Sequence, residues 1–141
     1  MIDAAAIEAL IPHQGAMSLL QCVQSWDAVS IHCQSTNHRA PLHPMARQGS
    51  LAAICGVEYA AQAMAVHGAL LAQAGVAKAG LLASLRDVAC RAMPLDQAGP
   101  VLDIRAHRVF AEDAHVIYGF SISCDGGEIL SGRAAVVLAA A

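Results

Sequence analysis

The stretch Gly49–Gly75, GSLAAICGVEYAAQAMAVHGALLAQAG, decides how the chain folds. From Leu51 onward Ala, Leu, Met and Gln dominate, all good helix formers. Ser50 reads as an N-cap whose hydroxyl accepts from a free first-turn N–H, and Gly75 as the C-cap. The predicted helix is apolar on nearly every side. Such a helix must be surrounded by other elements, not laid on a surface. Leu51–Ala74 has the length of a membrane span, but it carries Glu58, Gln62 and His67. A mid-span carboxylate costs several kcal/mol in lipid, roughly 2.5–3.5 on insertion scales. The segment is therefore read as the buried helix of a globular domain, with no membrane span.

What surrounds the helix is legible by alternation. In Val101–Phe110, Asp103, Arg105 and His107 alternate with Leu102, Ile104 and Ala106. In Val116–Cys124, the residues Val116, Tyr118, Phe120, Ile122 and Cys124 share one face. Asp125-Gly126-Gly127 is a hairpin turn into Glu128–Leu138. Val29–Ser35 and Gly80–Cys90 read as further strands, and Asp3–Ile11 as a short helix. The expected fold is α+β: five or six mostly antiparallel strands curling around one long central helix, as a single domain over residues 1–141.

Composition narrows the function. The chain has 141 residues, of which 57% are hydrophobic and only 13% charged. A typical soluble domain is about 25% charged, so disorder is excluded and a subunit interface is expected to cover part of the apolar surface. The net charge of −3 and the lack of a Lys/Arg stripe exclude a nucleic-acid surface. Five scattered cysteines with no CxxC pair predict free, mostly buried thiols in a reducing cytoplasm. MIDAAAIEAL contains no basic residue and is not read as a signal peptide.

Against that apolar background the polar residues of the helix stand out. Glu58 is the one charged side chain between Leu51 and Ala74, and Gln62 lies one turn away on the same face. Burying a carboxylate is costly unless it is paired or protonated, and a carboxyl kept protonated near neutrality is a proton donor. The bland alternative is a surface Glu, or one paired with Arg47, Arg86 or Arg91. A proton donor needs a base, and histidine ionises close to neutral pH. His13 sits in a loop, Ile11-Pro12-His13-Gln14-Gly15, and His38 and His43 lie in the irregular stretch Asn37–Pro44. His67 reads as a satisfied core histidine, and His32, His107 and His115 as surface residues. No HxH or HExxH spacing supports a metal site. No GxSxG, GxGxxG or Walker pattern supports a serine nucleophile or a nucleotide, so no cofactor is expected.

These residues carry a resemblance. Leu10-Ile11-Pro12-His13-Gln14-Gly15-Ala16-Met17-Ser18-Leu19-Leu20 is similar to the opening motif LPHxxPMxLLD of the hotdog-fold beta-hydroxyacyl-acyl-carrier-protein dehydratases. Gly56-Val57-Glu58-Tyr59-Ala60-Ala61-Gln62 is similar to their G-[IV]-E-x-x-A-Q helix, and Leu130–Ala134 fits their last hairpin. Within that group the chain looks most like the ApeP-like dehydratases of aryl polyene-type pathways.

The resemblance implies a hotdog fold and elimination of water from a 3-hydroxyacyl thioester on acyl carrier protein. It implies Glu58 as catalytic acid, a His as base, and a homodimer or a heterodimer with another hotdog subunit. In such dimers the His and the carboxylate usually come from different chains. The Gly-His-Phe-Pro motif that carries the base in better-known relatives is missing here. His38 and His13 are therefore both candidates for the base, with His13 preferred because its motif is kept. Gly56 would let the thioester approach amides near Cys55-Gly56, Gln62 would orient Glu58 or the substrate hydroxyl, and an apolar tunnel would hold the acyl chain. A thioesterase and a non-catalytic partner subunit are the alternatives on the same fold.

Overall fold

The computed structural model describes residues 1–72 and 80–138. In chain order the elements are β1 (Ile2–Asp3), α1 (Ala4–Leu10), β2 (Cys22–Trp26), β3 (Ser30–Ser35), α2 (Gly56–Leu71), β4 (Gly80–Cys90), β5 (Leu102–Glu112), β6 (His115–Cys124) and β7 (Gly127–Leu138). All strands pair antiparallel in one open sheet, in the order β1-β2-β3-β5-β6-β7-β4. Among the described residues the sheet has seven strands where five or six were expected. The two to which no segment had been assigned are β1, whose two residues are too few to show alternation, and β2, of only five residues.

The long helix packs across β3, β5 and β6. Tyr59, Ala60, Ala63, Val66 and Ala69 are fully buried against the sheet, and no residue of α2 is exposed. The facing strands deliver the predicted alternation: Leu102, Ile104 and Ala106 on β5, and Val116, Tyr118, Phe120 and Ile122 on β6. At the β6–β7 turn Asp125 and Gly126 have φ of 51° and 79°, the paired positive values of a two-residue hairpin loop. The curled α+β arrangement is therefore as the sequence implies.

The start of α2 is not. Ser50 does not cap it. Ser50 and Arg47 exchange backbone hydrogen bonds at 2.9 and 2.8 Å, and the Leu51 backbone is taken by Asp96 Oδ1 (2.8 Å) and the Leu95 amide (2.8 Å). These pairings hold residues 50–52 out of helical geometry. A single 3-10 turn, Ala53–Cys55, then leads into α2 at Gly56. The expected C-cap Gly75 lies outside the described residues. All five cysteines are free, but only Cys33 is buried, its thiol pushed up to about 12 by desolvation. Cys90 is exposed on β4, which corrects the expectation of mostly buried thiols.

Candidate active site

The site grows out of the way α1 ends. Asp3 caps α1 by accepting from the Ala6 amide at 2.9 Å, and Ile7 and Ile11 anchor the helix in the core. Ile11 is extended (φ −121°, ψ 158°), the conformation favoured before a proline, so Pro12 turns the chain away. Gly15 takes a φ of 62° and donates its N–H to Glu8 Oε1 at 3.0 Å. The loop thereby folds back over the first turn of α2.

The consequence is a contact between two residues 45 positions apart in sequence: His13 Nε2 lies 3.0 Å from Glu58 Oε1. Both side chains are about one-third exposed, 31% and 34%. Glu58 is therefore not sunk among apolar groups, as its neighbours on the helix suggested. It is a half-open carboxylate paired with an imidazole, and its partner is none of Arg47, Arg86 or Arg91. His13 Nδ1 is enclosed without a partner among the described residues, which leaves Nε2 as the nitrogen that faces the carboxylate.

Gln62 fastens the pair. Fully buried, it gives its amide protons to Met17 O (2.7 Å) and Glu58 Oε1 (3.3 Å) and accepts from the Leu19 amide (2.9 Å). One side chain thus holds both the carboxylate and the loop that carries His13.

The other predicted positions fall elsewhere. His38 does not reach Glu58. It is buried, with Nε2 at 2.7 Å from Gly99 O, and burial lowers its pKa. Gly56 faces the sheet: a Cβ there would lie 2.8 Å from Leu130 Cδ2 and 3.2 Å from Ile122 Cγ1. The amides of Cys55 and Gly56 already donate to Ala52 O and Ala53 O, so neither is open to a substrate oxygen in this conformation. Close packing against Leu130 and Ile122 by itself calls for a glycine here. Cavities of about 610 and 370 Å³ lie at the Ala111–His115 turn and beneath the loop from His38 to Leu51. Neither is lined by Glu58 or His13.

Three more histidines are accounted for. His67 is buried between Tyr118 OH (2.8 Å) and Asp27 O (2.8 Å), the satisfied core histidine foreseen. His32 is half-buried on the sheet and lies 2.7 Å from Asp103 Oδ1. His43 is buried and bonded to Tyr59 (2.9 Å). Sequence reading did not pick out Glu8, Ser35, Asn37 or Tyr59, which also brace the site. Only Tyr59 offered a signal, since a phenol on a buried helix must find a hydrogen-bond partner.

The sequence profile of the ApeP dehydratases matches residues 5–140. The chain belongs to this ApeP-like family. No curated protein matches the sequence. The dehydratase heterocomplex ApeI:P of Xenorhabdus doucetiae is similar in structure, with a TM-score of 0.80 at 26% identity over 99% of this chain and 93% of that one. Thioesterase superfamily member 2 of zebrafish (TM-score 0.67, 13% identity, 96% and 95% covered) shares the fold. So does a thioesterase family protein of Silicibacter pomeroyi (TM-score 0.64, 16% identity, 95% and 96%). At those identities the thioesterases establish the hotdog architecture alone. Within this one chain His13 already stands beside Glu58.

Proposed function

We propose that the protein is a 3-hydroxyacyl-acyl-carrier-protein dehydratase in which His13 is the base and Glu58 the acid. The observation that carries the reading is the half-open His13–Glu58 contact of 3.0 Å, in a chain of the ApeP dehydratase family. In the reaction His13 Nε2 takes the C2 proton, and the C2–H electron pair becomes the C2=C3 bond. Glu58 gives its proton to the C3 hydroxyl, which leaves as water with the C–O electron pair. Glu58 is then a carboxylate and His13 an imidazolium, and transfer of one proton across their contact restores the starting state. General acid–base groups of this kind contribute on the order of 10²–10⁴-fold in rate. Gln62 orients the Glu58 carboxyl.

A second hotdog subunit is part of the reading. The similar ApeI:P structure is a heterocomplex. On this chain β4 forms one edge of the sheet, and all eleven of its residues are exposed, Leu81 at 70%. An uncovered apolar edge strand is a template for pairing with another chain. We place the working dimer in the cytoplasm, where carrier-bound thioesters are handled and thiols such as Cys90 stay reduced.

The test is turnover of a 3-hydroxyacyl-carrier thioester to the trans-2-enoyl product. Glu58→Gln and His13→Ala are each expected to lose on the order of 10²-fold or more. Full activity of Glu58→Gln overturns the mechanism. Release of free thiol instead of enoyl product identifies a thioesterase.

A further inference from the structure

Glu58 and its neighbour Tyr59 head two separate hydrogen-bonded routes that meet at the same residue. The first runs from Glu58 through Gln62 to Met17 O and the Leu19 amide. The second starts at the fully buried Tyr59 and reaches the Leu19 carbonyl. Its directions follow from donor accounting. The Met45 amide donates to His43 Nδ1 at 3.1 Å, so in the neutral ring the proton sits on Nε2 and goes to Tyr59 OH at 2.9 Å. The phenol is then free to donate to Asn37 Oδ1 at 2.6 Å. Ser35 has a single proton, drawn to Leu19 O at 2.5 Å and to Asn37 Oδ1 at 3.0 Å.

The loop from His13 to Leu19 contains one 3-10 turn and little structure of its own. External groups fix it: Glu8 at Gly15, Gln62 at Met17 and Leu19, and Ser35 at Leu19. Ser35 supplies the one of these bonds that comes from the sheet. Ser35, Tyr59 and His43 are all buried, and a buried polar group left unpaired is costly. Retaining such a chain beside Glu58 calls for a role beyond filling the core.

We propose that Ser35, Asn37, Tyr59 and His43 form a positioning device that sets where His13 stands relative to Glu58. The proposal rests on the dehydratase reading for its kinetic consequence, but not for its structural one. Ser35 and Tyr59 touch no reacting atom. They act through Leu19, whose two backbone polar groups are gripped from the helix and from the sheet.

The experiment compares Ser35→Ala, Ser35→Thr and Tyr59→Phe in the full chain with its partner subunit. Two readouts are taken: kcat and KM for the hydroxyacyl thioester, and the ring ¹⁵N signals of His13 without substrate. Ser35→Ala and Tyr59→Phe are expected to lower kcat on the order of tenfold with KM changed less than about twofold. They should also move the His13 signals toward those seen in Glu58→Gln, and Ser35→Thr, which keeps the hydroxyl, should restore both. His13 signals that stay as in the parent protein overturn the proposal, as does a loss that Ser35→Thr shares with Ser35→Ala. Tyr59→Phe keeps the test decisive if Ser35→Ala does not fold. Shifted His13 signals in a protein that dehydrates nothing would sink the reaction and leave the positioning role standing.

Discussion

Gln62 and Glu58 stand one helical turn apart with their side chains 3.3 Å from each other, and the same Gln62 amide group lies 2.7 Å from the backbone of Met17. The glutamine is therefore a joint between the helix and the loop that carries His13. Gln62→Leu keeps the approximate volume but strips the Leu19 amide and the Met17 carbonyl of their partners. The expected cost is about 2–4 kcal/mol, from two backbone groups losing buried bonds. Turnover should fall as well, because the carboxyl loses its guide. Thermal unfolding and steady-state kinetics on the same sample check both effects. Unchanged kcat in a folded Gln62→Leu protein would show that Glu58 needs no such guide.

The His13–Glu58 contact lies within one chain, and this predicts the behaviour of mixed dimers. Where two chains share a site, a His-dead and a Glu-dead variant rebuild one good site when combined. Here co-expressed His13→Ala and Glu58→Gln chains are expected to recover no activity above that of the single variants. Recovery to about one-quarter to one-half of the parent rate, as expected for one rebuilt site per dimer, would place the two groups on opposite chains. Differentially tagged subunits, purified in sequence, give the mixed species for the assay.

Much of the fold was open to sequence reading because alternation and composition are local signals. Leu102, Ile104 and Ala106 point inward as their spacing requires, and Asp125-Gly126 turns as that dipeptide favours. The start of α2 was hidden because what decides it is non-local: Asp96 and Leu95 claim the Leu51 backbone from some 45 residues away. The site divides the same way. Glu58 stood out as a lone charge on an apolar helix, and His13 as part of a motif. Their choice of each other over His38 depends on Gly99 O, which binds the His38 ring, and on Glu8, which folds the loop. No local pattern encodes those contacts.

Acid should weaken the protein through its buried histidines. Burial lowers the pKa of His38, His43 and His67 from 6.5. For His67 the neutral form also suits the geometry: Nε2 donates to Asp27 O, and Nδ1 accepts when Tyr118 OH, whose oxygen takes the Arg108 Nε–H, turns its proton toward the ring. Below pH 6.5 the unfolded chain takes up protons that the folded chain refuses. Stability is therefore fully present above about pH 6.5 and falls as the pH drops from there toward the depressed folded values, by up to about 1.4 kcal/mol per pH unit for each histidine. Denaturant unfolding at pH 7, 6 and 5 measures the slope. His67→Gln should be less stable at pH 7 yet show a shallower loss on acidification. An equal slope in both proteins would remove His67 from the account.

Gly56→Ala separates packing from substrate approach at the residue where sequence and structure part company. Alanine is the better helix former by about 1 kcal/mol, so on a free helix the change would stabilise. Here the new methyl meets Leu130 Cδ2 at 2.8 Å and Ile122 Cγ1 at 3.2 Å. Both neighbours are fully buried, and the β-branched Ile122 has little rotamer freedom to yield. Overpacking of this kind costs about 1–3 kcal/mol, which outweighs the propensity gain and leaves a net loss of about 1 kcal/mol. The expected outcome is a lower Tm with kcat and KM close to those of the parent. A Tm held constant while KM rises several-fold would instead put Gly56 beside the thioester, as its place next to the helix start first suggested.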